Sequence, residues 1–474
     1  MLKSKAFREW NWVSNNDIWS LSTSVDILPR HEVLGSLLLS YNIMPPHLKL
    51  CFAYCGIFPK GHKMIKADLI HPWIALEFVE PSDTFSSWQL GESYFVQLLK
   101  MSFLQHSKAD TQPAFIDDGH TLFVMHDLVH DLARSVMADE FDLAGPNCRY
   151  AWLTDCTKGL KSCVTSPEKL RAVHIVDYKD ETEFLQDAFS AATNLRILDL
   201  RCYCLKEVPT SVGQLKHLRY FCAPQIYYCP SLSCISMLQG LNYLNLHGCT
   251  MLAVLPESIC EMRSLMHLDL SNCGHLEELP NSFGRLKALI YLNLARCHPL
   301  NGIPKSLTEL TKLQHLNLSS CQNLRGLQDI IGSLIELRYL NLARCIYYIF
   351  DSPSPNEVEG FIDRICNLTC MEELNLSFNS FGIVSIPESV MLLRKLVLEG
   401  CSRITSLPEC VAKLDDQTLF GLLPKLAVFA VMDGMKFSNN LGLLEQVNPD
   451  QLDISNLQNV WPREQAASIK LSEK

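Results

Sequence analysis

Residues 124–135 read VMHDLVHDLARS, so the dipeptide His-Asp occurs twice, with His126 and His130 four residues apart. On a helix that spacing puts both imidazoles on one face, the arrangement a divalent-metal site or a metal-dependent phosphohydrolase needs. Such a site also requires further converging ligands and an open coordination position. No supporting set accompanies the pair, and no nucleophile, base and orienting group can be placed together elsewhere. The sequence therefore predicts no catalytic residues and no metal, and the default reading of the pair is structural.

The elements that carry the pair read as helices around a small hairpin. VLGSLLLSYNIM (33–44) has a helical apolar pattern closed by Pro45-Pro46, HLKLCFAYCGIF follows and is closed by Pro59, and KADLIHPWIALEFV and SSWQLGESYFVQLLKMSFL add two more helices. PAFIDDGHTLFVM predicts a hairpin turning at Asp117, Asp118 and Gly119, where glycine supplies a positive φ. DLVHDLARSVM then closes a winged-helix-like domain over residues 31–145. That fold often binds DNA, but no basic recognition helix is present. A net charge of −10 with no long Lys/Arg run excludes nucleic acid as the main partner, leaving room only for small basic patches.

The second half repeats itself. LRILDL at 195, LRYFCA at 218, LNYLNL at 241, LMHLDL at 265, LIYLNL at 289, LQHLNL at 313 and LRYLNL at 337 start 23 or 24 residues apart, and MEELNL at 371 and LRKLVL at 393 continue after a 34-residue step. This is a leucine-rich-repeat period. The leucines point inward from a short strand, and one unit cannot bury them alone, so neighbours must stack on a parallel sheet. The long step, containing DSPSPNEVEG, predicts a bulging loop. The fold class is α/β: a leucine-rich-repeat solenoid, a right-handed superhelix, over residues 169–474, joined by a linker at 146–168 to the mainly α winged-helix-like domain.

Three residues past each hexamer's last leucine stand Cys249, Cys273, Cys297, Cys321, Cys345, then Asn379, then Cys401. Thiol and amide share the ability to satisfy unpaired backbone groups where the chain leaves the sheet, so these cysteines are expected to be reduced and structural. The chain has twenty cysteines but no Cys-x-x-Cys, and Cys51/Cys55 and Cys366/Cys370 sit at a helical spacing that suits core packing. Pro209, Pro256, Pro280, Pro304, Pro387 and Pro408 recur in register, with a residue two places on, usually Ser, expected to cap a short helix; Gln328 replaces the proline in one unit. The sequons at Asn317, Asn367 and Asn375 read as polar solenoid positions.

Outward positions form two columns: Tyr220, Tyr243, His267, Tyr291, His315 and Tyr339 in one, and Asp199, Asn245, Asp269, Asn293, Asn317 and Asn341 in the next. An aromatic row beside a polar row predicts a protein-binding surface. No stretch reaches about 18 uninterrupted apolar residues and the start lacks a signal-peptide pattern, so the expectation is a cytoplasmic protein without stable membrane insertion.

The ordered stretches LLLSYNIMPPHLKLCFAYCGIFPKGHKMIKADLIHPWIALEFV, VMHDLVHDLA and the LRYLNL…LP repeats closely resemble plant intracellular immune receptors of the nucleotide-binding, leucine-rich-repeat type, in the coiled-coil group. MLKSKAFREWNWVSNNDIWSL is similar to the segment after that family's GLPL motif, making residues 1–30 a remnant of its nucleotide-binding region, and LDISNLQNV is similar to a lead-in to further repeats. The resemblance implies a receptor truncated at both ends. It implies that Met125, His126 and Asp127 form the family's MHD switch motif, whose histidine approaches the β-phosphate of bound ADP and holds the inactive form. A helix start, where Asp127 is expected to cap free N–H groups, also suits a phosphate. No G-x-x-x-x-G-K-[ST] loop is present, so ADP or ATP belongs to the full-length family and none is expected on this chain alone. Implied partners are the receptor's own nucleotide-binding domain and a pathogen effector or guarded host protein, with the repeats serving autoinhibition and sensing. The alternative is a stand-alone leucine-rich-repeat adaptor that has lost nucleotide switching.

Overall fold

The computed structural model describes residues 37–401 apart from 81–84, 108–120, 155–163, 177–188, 202–204, 206, 227–231, 350–353, 380–382, 384 and 399–400, and adds 425–430 and 452–455. The chain divides into two units, one reaching Tyr203 and taking in Gln214–Phe221, the other made of Cys204–Gly213 and the chain from Cys222 onward.

In the first unit, α1 (Pro46–Tyr54) starts with proline where no N–H partner is needed, and buries Leu48, Cys51, Phe52, Ala53 and Tyr54. α2 (Ala67–Ala75) buries Trp73, and α3 (Ser87–Lys100) opens on a capping box between Ser86 and Gln89. The wing is the antiparallel pair β1 (Gln105–His106) and β2 (Phe123–Val124). α4 (Asp127–Ser135) and α5 (Ala138–Phe141) follow. The expected hairpin turn at Asp117, Asp118 and Gly119, and residues 1–30, lie outside the described residues.

The unit continues into parallel strands β3 (Tyr150–Leu153), β4 (Ala172–Ile175), β5 (Ile197–Asp199) and β6 (Tyr220–Cys222), with β3 paired to β4 and β4 to β5. This corrects the expected linker at 146–168, which contains β3. CRYAWL and LRAVHI are earlier rungs of the repeat, disguised because cysteine, alanine, valine and isoleucine fill places that leucine holds elsewhere.

In the second unit the hexamers become β7 (Tyr243–Asn245), β8 (His267–Asp269), β9 (Tyr291–Asn293) and β10 (His315–Asn317). There follow α6 (Leu327–Ile330), β11 (Tyr339–Asn341), α7 (Pro355–Cys366), β12 (Glu373–Asn375), β13 (Lys395–Val397), β14 (Lys425–Ala430) and β15 (Leu452–Ser455). β7 to β15 pair in parallel and in sequence order. The 34-residue step is not an open bulge: it adds α7, closed at its start by a Ser354/Glu357 capping box. Where Gln328 replaces proline, the chain enters α6 through Gly326 at φ 82°, a left-handed turn that glycine adopts without strain.

The cysteine ladder has the expected chemistry. Each thiol donates to the last-leucine carbonyl of the preceding rung: Cys273 to Leu246, Cys297 to Leu270, Cys321 to Leu294 and Cys345 to Leu318, at 3.4, 3.2, 3.0 and 2.8 Å. Asn379 substitutes with its amide, donating to Leu342 O at 2.9 Å and Leu376 O at 2.7 Å. Burial pushes the thiols of Cys249, Cys297 and Cys345 up to about 12, keeping them protonated donors. All described cysteines are free. The serines after the prolines do not cap: the segments 257–261, 305–309 and 388–392 carry no side-chain cap. Some tie neighbouring rungs instead, Ser258 to Ser236 at 2.8 Å and Ser306 to the Gly284 N–H at 3.2 Å.

Cys297→Ala removes one of the two donors to the Leu270 carbonyl, which keeps the Cys273 N–H at 3.3 Å, and is expected to cost about 1 kcal/mol, with Cys297→Ser losing less; urea unfolding of the three proteins measures the order, and equal stability of all three would refute it.

Candidate functional site

The two His-Asp pairs separate on folding. Met125 is buried beneath the start of α4, whereas His126 and Asp127 are exposed. His126, not Asp127, is the N-cap: its Nδ1 accepts the Leu128 N–H at 3.2 Å, and Asp127 is the first helical residue. With Nδ1 used as an acceptor, neutral His126 carries its proton on Nε2. One turn on, His130 is buried and its Nε2 lies 2.7 Å from the Phe58 carbonyl, to which it donates. Asp131 pairs with Lys60 at the surface. The imidazoles therefore serve different partners: His130 fastens α4 to the turn after α1, and His126 leaves a donor outside.

A second constellation escaped the sequence reading. The Tyr54 hydroxyl donates to His174 Nε2 at 2.9 Å, and His174 Nδ1 lies 3.3 Å from Asp199 Oδ2. Arg201 forks onto Asp199 through Nε at 3.2 and 3.0 Å, and reaches Asp68 and the Tyr220 hydroxyl. The tyrosine–histidine–aspartate relay has the polarity of a catalytic triad, but all three are buried, so no substrate reaches it. It ties α1 and the start of α2 to β4, β5 and β6. Trp152 stacks on His174 with centroids 5.4 Å apart, and Phe58 packs edge-on against Trp152 at 5.7 Å. Burial pushes the Asp199 carboxyl up, but the Arg201 charge and hydrogen bonds from His174 and Arg201 outweigh it and hold it well below its ordinary range. The signal available in sequence was LRAVHI at 170, whose fifth place carries His174 where most later hexamers carry Asp or Asn.

The expected binding columns are altered. Tyr220, 1% exposed, accepts from Arg201 inside the first unit and is no surface residue. In the second unit Tyr243, His267, Tyr291, His315 and Tyr339 form one continuous stack, with centroids 4.3, 3.9, 4.2 and 4.1 Å apart. Their faces cover one another and the half-buried rings present their edges. The polar column turns inward: Asp269, Asn293, Asn317 and Asn341 accept the N–H two residues on, at 2.8, 3.1, 3.0 and 3.0 Å. Asn341 is 0% exposed and Asn317 4%. Short amides and carboxylates close the strand end this way because its N–H would otherwise lack a partner. The arrangement can hold a partner.

Residues 57–133 match the family described as Disease resistance protein Winged helix domain, and residues 222–428 match Leucine-rich repeat region. RGA4 and RGA1 of Solanum bulbocastanum, both titled disease resistance proteins, are 30% and 31% identical over 218 residues, 44% and 45% of this chain and 18% and 19% of theirs. Disease resistance protein RGA2 of the same species is 29% identical over 247 residues, 52% of this chain and 22% of its own. The chain thus spans about a fifth of the length of these relatives. A Leptospira interrogans leucine-rich-repeat protein, LIC12759, overlaps 68% of this chain and 86% of its own at 19% identity and a TM-score of 0.32. Among the described residues no helix is long and apolar enough to cross a membrane.

The depressed Asp199 carboxyl gives the first unit a directional acid sensitivity. A group whose folded pKa lies below its ordinary 3.8 contributes fully above that value and loses its contribution as pH falls toward the folded one. Melting between pH 6 and pH 2.5 should show stability falling from about pH 4 downward. Asp199→Asn should cost about 3–5 kcal/mol at neutral pH, as for a broken buried ion pair, and flatten that acid slope; parallel slopes in the two proteins would rule the carboxylate out as the cause.

Proposed function

We propose that the chain, whose winged-helix and leucine-rich-repeat segments match those of plant disease resistance proteins, works as the switch-and-sensor portion of a defence receptor. The observation that carries the reading is His126: its Nδ1 is held by the Leu128 N–H, so Nε2–H is exposed at the head of α4. When ADP is bound by the complete receptor, it supplies a phosphate as acceptor. His126 Nε2 would donate to that phosphate, and the partial positive charge of the helix start would favour the anion there. His130 keeps α4 in place by its bond to Phe58. These residues make up only one wall of a nucleotide site, since the chain contains no phosphate-cradling glycine loop. On this reading the protein acts in the cytoplasm and is a receptor, not an enzyme. Its stacked Tyr/His edge column meets protein: the receptor's own nucleotide-binding domain at rest, or an effector or guarded host protein.

Two substitutions separate capping from switching. In this chain His126→Ala should cost about 0.5–2 kcal/mol, whereas His126→Asn, which can still cap, should melt like the parent. In a full-length receptor carrying this segment with a phosphate loop, both should speed release of labelled ADP. Unchanged release in both would reject the phosphate role. Titrating this chain alone with ADP should show negligible heat; micromolar binding would show that the pocket needs less than the reading assumes.

A further inference from the structure

The turn that follows α1 carries an imidazole that the nucleotide reading does not use. The His62 N–H donates to the Pro59 carbonyl at 3.1 Å, and Gly61 takes φ 71°, the left-handed third place of a tight turn that glycine fills without strain. The turn folds His62 back onto Phe58: the two rings stack with centroids 5.2 Å apart and planes 11° from parallel. Trp152 of β3 meets the same imidazole at 5.3 Å and 70°. Phe58 also packs against His174 of β4 at 5.6 Å, and its carbonyl accepts from His130 Nε2 of α4 at 2.7 Å. His62 thus closes a clasp whose backbone holds α4 and whose rings hold β3 and β4.

The imidazole is half-buried, and its surroundings suit it only while it is neutral. Asp68 on α2 faces it, as do His174, Asp199 of β5 and Arg201 beyond that strand, and Lys60 and Lys63 flank it in its own turn. The two carboxylates that could balance a positive charge are already engaged. Asp68 accepts from Arg201 and, at 2.9 Å, from the Ile65 N–H, and Asp199 holds Arg201 and His174. Lys60 pairs with Asp131. An imidazolium here loses water, meets the Arg201 guanidinium and finds both anions occupied. Burial therefore holds His62 below its ordinary 6.5; the Asp68 and Asp199 carboxylates pull the other way without restoring it, and Arg201 and His174 push it lower still. A ring released to water keeps the ordinary value, so release becomes favoured as pH falls from about 6.5.

We propose that His62 is a proton-released latch between the winged helix and the first repeat strand: uncharged it closes on Phe58 and Trp152, and charged it swings out to water and uncovers both. Release bares one face of the Phe58 ring while the Phe58 carbonyl still anchors α4, so the proton acts first on the grip that the turn has on β3. A cation–π contact with Phe58 opposes release, but it acts on a charge that has lost its water and has no carboxylate to spare. The latch is distinct from the buried Asp199 centre, which responds at lower pH, and it uses none of the contacts of His126.

The test follows acrylamide quenching of the Trp152 emission, taken as the difference between the parent protein and Trp152→Phe. Between about pH 7.5 and about pH 5 the quenching should rise about twofold, while the residual emission of Trp152→Phe stays as it was. His62→Phe and His62→Gln cannot take up the charge, and each should flatten the rise at unchanged far-ultraviolet dichroism. Two variants are used so that a packing fault in one does not decide the result. His71 is the rival group, since burial pushes it down to about 3 and its ring lies 4.7 Å from that of Trp88. A rise that survives both His62 substitutions assigns the response to His71 or His174, and a matching rise in the residual emission assigns it to general unfolding. Either result, or no rise in the parent, would overturn the proposal.

Discussion

The repeat region depends on one constraint: a 23- or 24-residue unit cannot satisfy its own backbone. Its strand is three residues long and its leucines, buried in the stack, need neighbouring units to cover them. At the bend after each strand the residue before the cysteine takes a left-handed φ, as in Asn272, Arg296, Ser320 and Arg344. Its N–H reaches the following rung: Asn272 to Ala295 O, Arg296 to Ser319 O, Ser320 to Ala343 O and Arg344 to Ser377 O. The thiol behind it reaches the preceding rung. Each bend is thus held from both sides, and a rung removed leaves polar groups exposed on two neighbours. This is why cysteine and asparagine interchange at that place, and why the thiols stay buried and protonated.

In the first unit the corresponding constraint is a buried charge. Asp199 has lost its water, and it remains ionised because Arg201 and His174 surround it. Arg201 in turn needs Asp68 and Tyr220, and His174 needs Tyr54. Removing any member strands the others in a medium where an uncompensated ion is costly. The winged helix and the first strands of the repeat therefore fold as one cooperative body, without the linker expected between them. Tyr220 is consumed by this network, whereas its counterparts Tyr243, Tyr291 and Tyr339 remain half-exposed in the stack.

Much of this was legible. Helices α1, α2, α3 and α4 follow from apolar spacing and proline stops, and β5 to β13 from the leucine hexamers. The cysteine hydrogen bonds follow from the Cys/Asn exchange. The site was partly legible: the position of Met125, His126 and Asp127 at the head of a helix was readable, but which of the last two caps was not, because capping depends on the backbone turn and not on residue preference alone. The polar column was misread for a related reason. Alternation shows which side chains leave the sheet, not that Asn317 and Asn341 then curl back to a backbone N–H.

The sequence by itself determined the repeat, its period, the inward leucines and the helical content of the first domain, since these rest on local spacing and hydrophobic burial that recur every few residues. Tertiary structure alone decided which distant polar residues meet. Tyr54 and His174 lie 120 positions apart, and Asp68 and Arg201 lie 133 apart. Stacking in parallel register converts those separations into hydrogen-bond distances, and no local pattern encodes the outcome because the energy resides in the pairing, not in either residue.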